Sequence, residues 1–159
     1  MNFHDALSSL LAELTPQPWD YTASDGTTLR VIPAGVPSDP GTAEVYVRLT
    51  RADATGLYEF GITGPNSRGV AEVGIPTANL PAMIQALTSR TRWEADHLVT
   101  DSLTATPDAE GVTVEVTEVH SKERQETVSV RLPESQRLPV AAALRRALEV
   151  ARDWEVAAR

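Results

Sequence analysis

The chain contains no cysteine, which removes disulfides, thiolate nucleophiles and cysteine metal sites together. Aromatic residues are scarce, with two Phe, three Tyr and three Trp in 159 residues, so any core has to be aliphatic. No run approaches the ~20 consecutive apolar residues needed to span a bilayer. The start Met1-Asn2-Phe3-His4-Asp5 has neither the basic region nor the apolar stretch of a secretory leader, and the expected location is the cytoplasm. Lysine is nearly missing too: Lys122 is the only one among 14 basic residues. Against them stand 22 acidic side chains, for a formal charge of −8. Residues 1–90 hold 5 basic and 9 acidic side chains and residues 91–159 hold 9 and 13, so neither half is a charged tail. Such a field repels phosphate backbones at long range, and a nucleic-acid role would require a local basic patch.

What is present supports a core. Hydrophobic residues make up 42% of the chain, and the length suits one α+β domain over residues 1–159. The clearest element is the closing stretch from Ser135. At 100° per residue, Val140, Ala143, Leu144, Ala147, Leu148, Ala151 and Trp154 share one face, opposite Arg145, Arg146, Glu149, Arg152 and Asp153. Ser135 is a natural N-cap, and Pro139 falls in the first turn, where its missing N–H costs little. The grammar occurs twice: Thr77-Ala78-Asn79-Leu80-Pro81 repeats the cap, leucine and proline spacing of Ser135-Gln136-Arg137-Leu138-Pro139. Upstream, Trp19-Asp20 with Leu29 and Pro33 aligns without a gap on Trp93-Glu94 with Leu103 and Pro107. The pattern predicts a degenerate internal duplication, about 19–90 and 93–157.

An amphipathic helix is predicted near the start, with Phe3, Leu7, Leu10, Leu11 and Leu14 on one face and Thr15-Pro16-Gln17-Pro18 as its stop. Strands are predicted around Leu29, around Val45, Val47 and Leu49, around Tyr58, Phe60 and Ile62, and around Ala71, Val73 and Ile75. A second helix runs from about Ala78 to Arg90. Three more strands follow near residues 98–105, at Val112, Val114 and Val116, and at Val128, Val130 and Leu132. The resulting order is α-β4-α-β3-α. Short connections and clean alternation predict a single, mostly antiparallel sheet of about seven strands with all three helices on one face. The open face would carry Glu44, Tyr46, Arg48, Glu59, Glu72, Thr113, Glu115, Thr127, Ser129 and Arg131.

Candidate chemistry is sparse. Glu94, Asp96, His97 and Asp101 form the densest polar cluster, two carboxylates and a histidine being the minimum for a divalent cation or proton transfer. A solvated strand edge is the competing reading, since no recognised ligand spacing is present and alternation sends Asp96 and His97 to opposite sides. Glu115, Glu118 and His120 form a looser set at a hairpin tip. Residues 64–69 lack the lysine and the following helix of a phosphate loop. The three tryptophans plug core ends or line a pocket. Arg145, Arg146 and Arg152 reverse the local sign of the charge, with Glu149 placed to pair along the helix. No nucleophile motif, cofactor motif or tightly bound metal site is found.

The order of elements, with its two strand units each closed by a helix at Thr77-Ala78-Asn79-Leu80-Pro81 and Ser135-Gln136-Arg137-Leu138-Pro139, is similar to that of Whirly and Pur-type proteins. That resemblance implies single-stranded nucleic acid bound on the sheet. In length, charge and helix–strands–helix order the chain also resembles secretion-chaperone-like proteins, which implies a protein partner and a homodimer. The acidic charge and the single aromatic Tyr46 on the open face favour the second implication. The expected function is therefore a non-enzymatic binding or protein-interaction protein acting on an unidentified protein or on itself, with Tyr46, Arg48 and Arg131 on the sheet and Arg145, Arg146 and Arg152 on the helix as candidate surfaces. The alternatives are nucleic acid on the sheet face or arginine stripe, and a small ligand or metal-dependent reaction at Asp96 and His97. No membrane partner is expected.

Overall fold

A computed structural model describes residues 3, 19–34, 43–55 and 68–157. The strands divide between two sheets. β1 (Trp19–Thr22), β2 (Thr28–Ala34), β3 (Glu44–Thr55) and β4 (Arg68–Pro76) form one antiparallel meander. β5 (Trp93–Glu94), β6 (Ser102–Asp108), β7 (Gly111–Ser121) and β8 (Arg124–Pro133) form the other. α1 (Leu80–Ser89) follows the first sheet and α2 (Glu134–Ala157) follows the second.

This corrects the expectation of one seven-stranded sheet with three helices on one face. Two four-stranded sheets and two helices are present among the described residues. Period-two alternation reports which side of a strand is buried, and it does so here, with Val45, Val47 and Leu49 buried between half-buried Glu44, Tyr46, Arg48 and Thr50. It carries no information on sheet membership. The predicted first helix, Phe3 apart, and the predicted strand at Tyr58, Phe60 and Ile62 lie outside the described residues. β1 and β5 escaped the sequence reading because four and two residues are too short to show a period.

The two sheets share one apolar cluster that includes Leu29, Val47 and Ile75 from the first and Leu103, Val114 and Val130 from the second. They meet where β4 lies against β7 and β8. The helices cross over: α1, which ends the first unit, packs on β5 and β6, whereas α2, which ends the second, packs on β2 and β3 and also touches β7 and β8. Val140, Leu144 and Ala151 are buried at the centre of this arrangement.

Each end of the α1–α2 pair is tied. α1 stops at Arg90, a left-handed residue with φ 57°, and the Thr91 N–H reaches back to Ala86 O at 3.0 Å, which satisfies one of the carbonyls a helix end leaves unpaired. Two more are taken by Arg137 of α2, whose Nη1 donates to Leu87 O at 2.8 Å and Thr88 O at 3.0 Å. Arg137 is only 8% exposed. Its Nε donates to Glu134 Oε1 at 2.9 Å, and Arg90 pairs with the same oxygen. At the other end, the Thr77 hydroxyl, expected as an N-cap, instead donates to Glu155 of α2 at 2.8 Å. Asn79 occupies the cap position without a side-chain bond, and proline sits in the first turn.

Candidate functional site

The outer face of the first sheet carries a transverse row of charges set by strand register, Asp20 opposite Arg30, Arg30 opposite Arg48, and Arg48 opposite Glu72. Arg30 makes two 2.7 Å bonds to the Asp20 carboxylate, and Arg48 pairs with Glu72. Both cations are therefore neutralised in place. One register step along, Tyr46 lies opposite Gly74, where a side chain would collide with the Glu44 carboxylate and crowd the Tyr46 ring. Burial, then the Glu44 and Glu72 carboxylates, push the Tyr46 phenol above its ordinary pKa. Among the described residues Tyr46 is the single aromatic on either outer face, since Trp19, Tyr21 and Trp93 pack inward on the core.

The raised phenol pKa gives a direct test of this acidic surround. The phenolate is disfavoured in the folded chain, so the associated stability is present below the unfolded phenol pKa and lost as pH rises through the folded one. The ultraviolet phenolate signal that disappears in Tyr46→Phe is expected to titrate later than a free tyrosine, and Glu44→Gln is expected to move it back. A Tyr46 transition at the ordinary position would contradict the geometry.

The second sheet presents hydroxyls: Thr104, Thr106, Thr113, Thr117, Thr127 and Ser129 alternate with buried aliphatic neighbours, and Thr117 and Thr127 bond across strands at 2.9 Å. Arg131 is held by both oxygens of Asp108 and approached by Glu110. That pairing draws the Asp108 carboxyl well below the usual carboxylate range. Every sheet-face arginine named as a candidate thus already has a carboxylate.

The predicted polar cluster is not one site. Glu94 is exposed and pairs with Arg92, and Asp96 is exposed. His97 Nε2 is 3.0 Å from Gly74 O on the edge of β4, while Asp101 accepts the Val119 N–H at 2.8 Å. Neighbouring positions serve the same edge: Glu118 accepts the Glu72 N–H at 2.9 Å and Glu126 the Gly69 N–H at 3.3 Å. Glu118 also faces His120 at 3.3 Å, with side chains 13% and 21% exposed. The expected hairpin-tip carboxylate is in fact a junction between sheets, satisfying backbone groups that an edge strand leaves open. Among the described residues no group of three His, Asp or Glu side chains is arranged to hold a metal ion.

The arginine stripe of α2 is divided. Arg145 and Arg152 rim a groove of about 360 Å³ between the helices, lined by Pro81, Ile84, Gln85, Leu148 and Glu149. Arg146 rims a separate groove of about 260 Å³ on the other flank of α2, against β1 and β2. Among the described residues none of the three arginines has an ion-pair partner, and the expected pairing with Glu149 does not form. None of the described helices is long and apolar enough to cross a membrane.

Among the described residues the fold and surfaces are those of two antiparallel four-stranded meanders, each followed by a helix, with paired charges on the sheets and arginines without an ion-pair partner on the helical side. No family model and no curated protein matches the chain. Among solved structures it is similar to the crystal structures of Trypanosoma brucei MRP1/MRP2, with a TM-score of 0.64 and 19% identity over 96% of each chain. That likeness concerns the fold.

Proposed function

We propose that the chain is a small, non-enzymatic interaction protein that engages a protein partner through its helical side. The observation that supports this reading is the distribution of pairing: Arg30, Arg48 and Arg131 on the sheets are neutralised by carboxylates, whereas Arg145 and Arg152, with no ion-pair partner among the described residues, rim a groove floored by Pro81, Ile84 and Leu148. A groove with an apolar floor, and with two cations against the one carboxylate of Glu149 on its rim, suits a partner segment with apolar anchors and flanking carboxylates.

The test is recovery of the partner from the native host with variants on each surface. Arg145→Glu with Arg152→Glu is expected to weaken the association at least about tenfold, a loss of ~1.4 kcal/mol. Arg48→Glu and Arg131→Glu are expected to leave it within about twofold of the parent chain. Loss on the sheet variants alone would overturn the reading. The same unpaired arginines support a second reading, single-stranded nucleic acid on the helical side. That reading requires wild-type binding to labelled single strands that falls steeply with salt and vanishes in the helix variant.

A further inference from the structure

We infer that the exposed stripe of α2 pairs with the same stripe of a second copy of the chain, antiparallel and centred at the level of Ala147. This rests on the reading of the helical side as the protein-binding side and names the partner. Leu138, Ala142, Arg145, Glu149 and Arg152 follow one another at spacings of four, three, four and three residues, the repeat that keeps side chains on one line where a second helix can lie. Val140, Leu144, Leu148 and Ala151 are buried against the rest of the fold, so this line is what α2 turns outward. Leu138 is 54% exposed, Ala142 is half-buried and the three charged residues are exposed.

Charge complementarity identifies the occupant. Along the stripe the signs run plus, minus, plus, and among the described residues none of Arg145, Glu149 and Arg152 has an ion-pair partner. A foreign acidic segment answers the two arginines but sets a carboxylate near Glu149. A second copy answers both signs. In an antiparallel pair related by a two-fold axis every contact occurs twice. Centred at Ala147, Arg145 lies opposite Glu149 of the second copy, and Glu149 opposite its Arg145. The small Ala142 then faces the long Arg152 side chain, and Leu138 is covered by the last turn of the other helix. Sliding by one heptad in one direction leaves Leu138 uncovered, and in the other sets it against Glu149. Pro81 and Gln85 of α1, both exposed, flank the stripe and widen the covered surface.

Sedimentation equilibrium on the full chain reads this directly. The parent chain is expected to be a dimer at about 50 µM, a concentration that detects even modest self-affinity. Arg145→Glu and Glu149→Arg each set like charges opposite one another twice, and each is expected to raise the dimer Kd at least about tenfold. Combined in one chain they restore opposite signs across the axis, and the Kd is expected to return to within about threefold of the parent value. Circular dichroism checks that each variant keeps the fold. A monomeric parent chain, a dimer indifferent to the single reversals, or a swap that fails to recover association would each overturn the inference. A monomer that still captures a different protein at Gln85 would overturn the inference alone, whereas a monomer with no capture there would overturn the protein-binding reading as well.

Discussion

Arg137→Met is expected to lower the stability of the chain by about 3–5 kcal/mol, the cost of leaving two helix-end carbonyls without their donor and of breaking its pair with the partly exposed Glu134. For a chain of this length that corresponds to a fall in Tm of very roughly 6–20 °C. Methionine fills much of the volume, so the loss isolates the guanidinium. Leu87 O and Thr88 O at the end of α1 then lose their donor, and Glu134 loses one of its two arginines. An unpaired buried carbonyl keeps its full desolvation cost. Hydrogen exchange is expected to rise first in the last turn of α1, and adding Glu134→Leu is expected to cost less than the two single losses combined. A Tm within about 2 °C of the parent would show that the clamp contributes little.

Gly111→Ala is expected to be the second severe change, at about 2–4 kcal/mol. Gly111 closes the two-residue turn that pairs it with Asp108, and on its other side it faces Pro133 in β8. A Cβ here would run into the carbonyl oxygen of Leu132, a backbone atom that cannot rotate aside. Relief requires β7 and β8 to part at the point where the Glu134 N–H bonds Glu110 O and α2 begins. The strain should therefore propagate to Arg137, and its effect should be less than additive with that of Arg137→Met. Thermal unfolding of both single variants and the double variant checks this. Full additivity would mean that the hairpin and the helix clamp are independent.

Several of these features were legible in the sequence and others were not, for identifiable reasons. α2 was plain because alanine and leucine at helical spacing define its buried face. The faces of β3, β7 and β8 were plain because valines alternate with polar residues. The division into two sheets was not, because alternation is a property of one strand and pairing a property of two. The exchange of helices was hidden for the same reason: nothing local in α1 says that it covers β5 and β6. Arg137 sits in the repeated cap-leucine-proline grammar, where it served only as a spacer, and its partners lie about fifty residues away. The separation of Arg145 from Arg146 could have been read, since adjacent helical residues differ by 100° and a single stripe cannot hold both. His97, Glu118 and Asp101 have the composition of an active site. Their backbone partners, which give them structural roles, lie on other strands.

The most direct measurement is site-resolved photocrosslinking in the native host. A photoreactive residue is placed at Gln85 in the helical groove, at Ile32 on the first sheet and at Thr104 on the second. The account predicts a discrete protein adduct from Gln85 that disappears with Arg145→Glu and Arg152→Glu, and weak or no adducts from the sheet positions. Strong adducts from Ile32 or Thr104 with none from Gln85 would contradict it and move the interaction to the sheets.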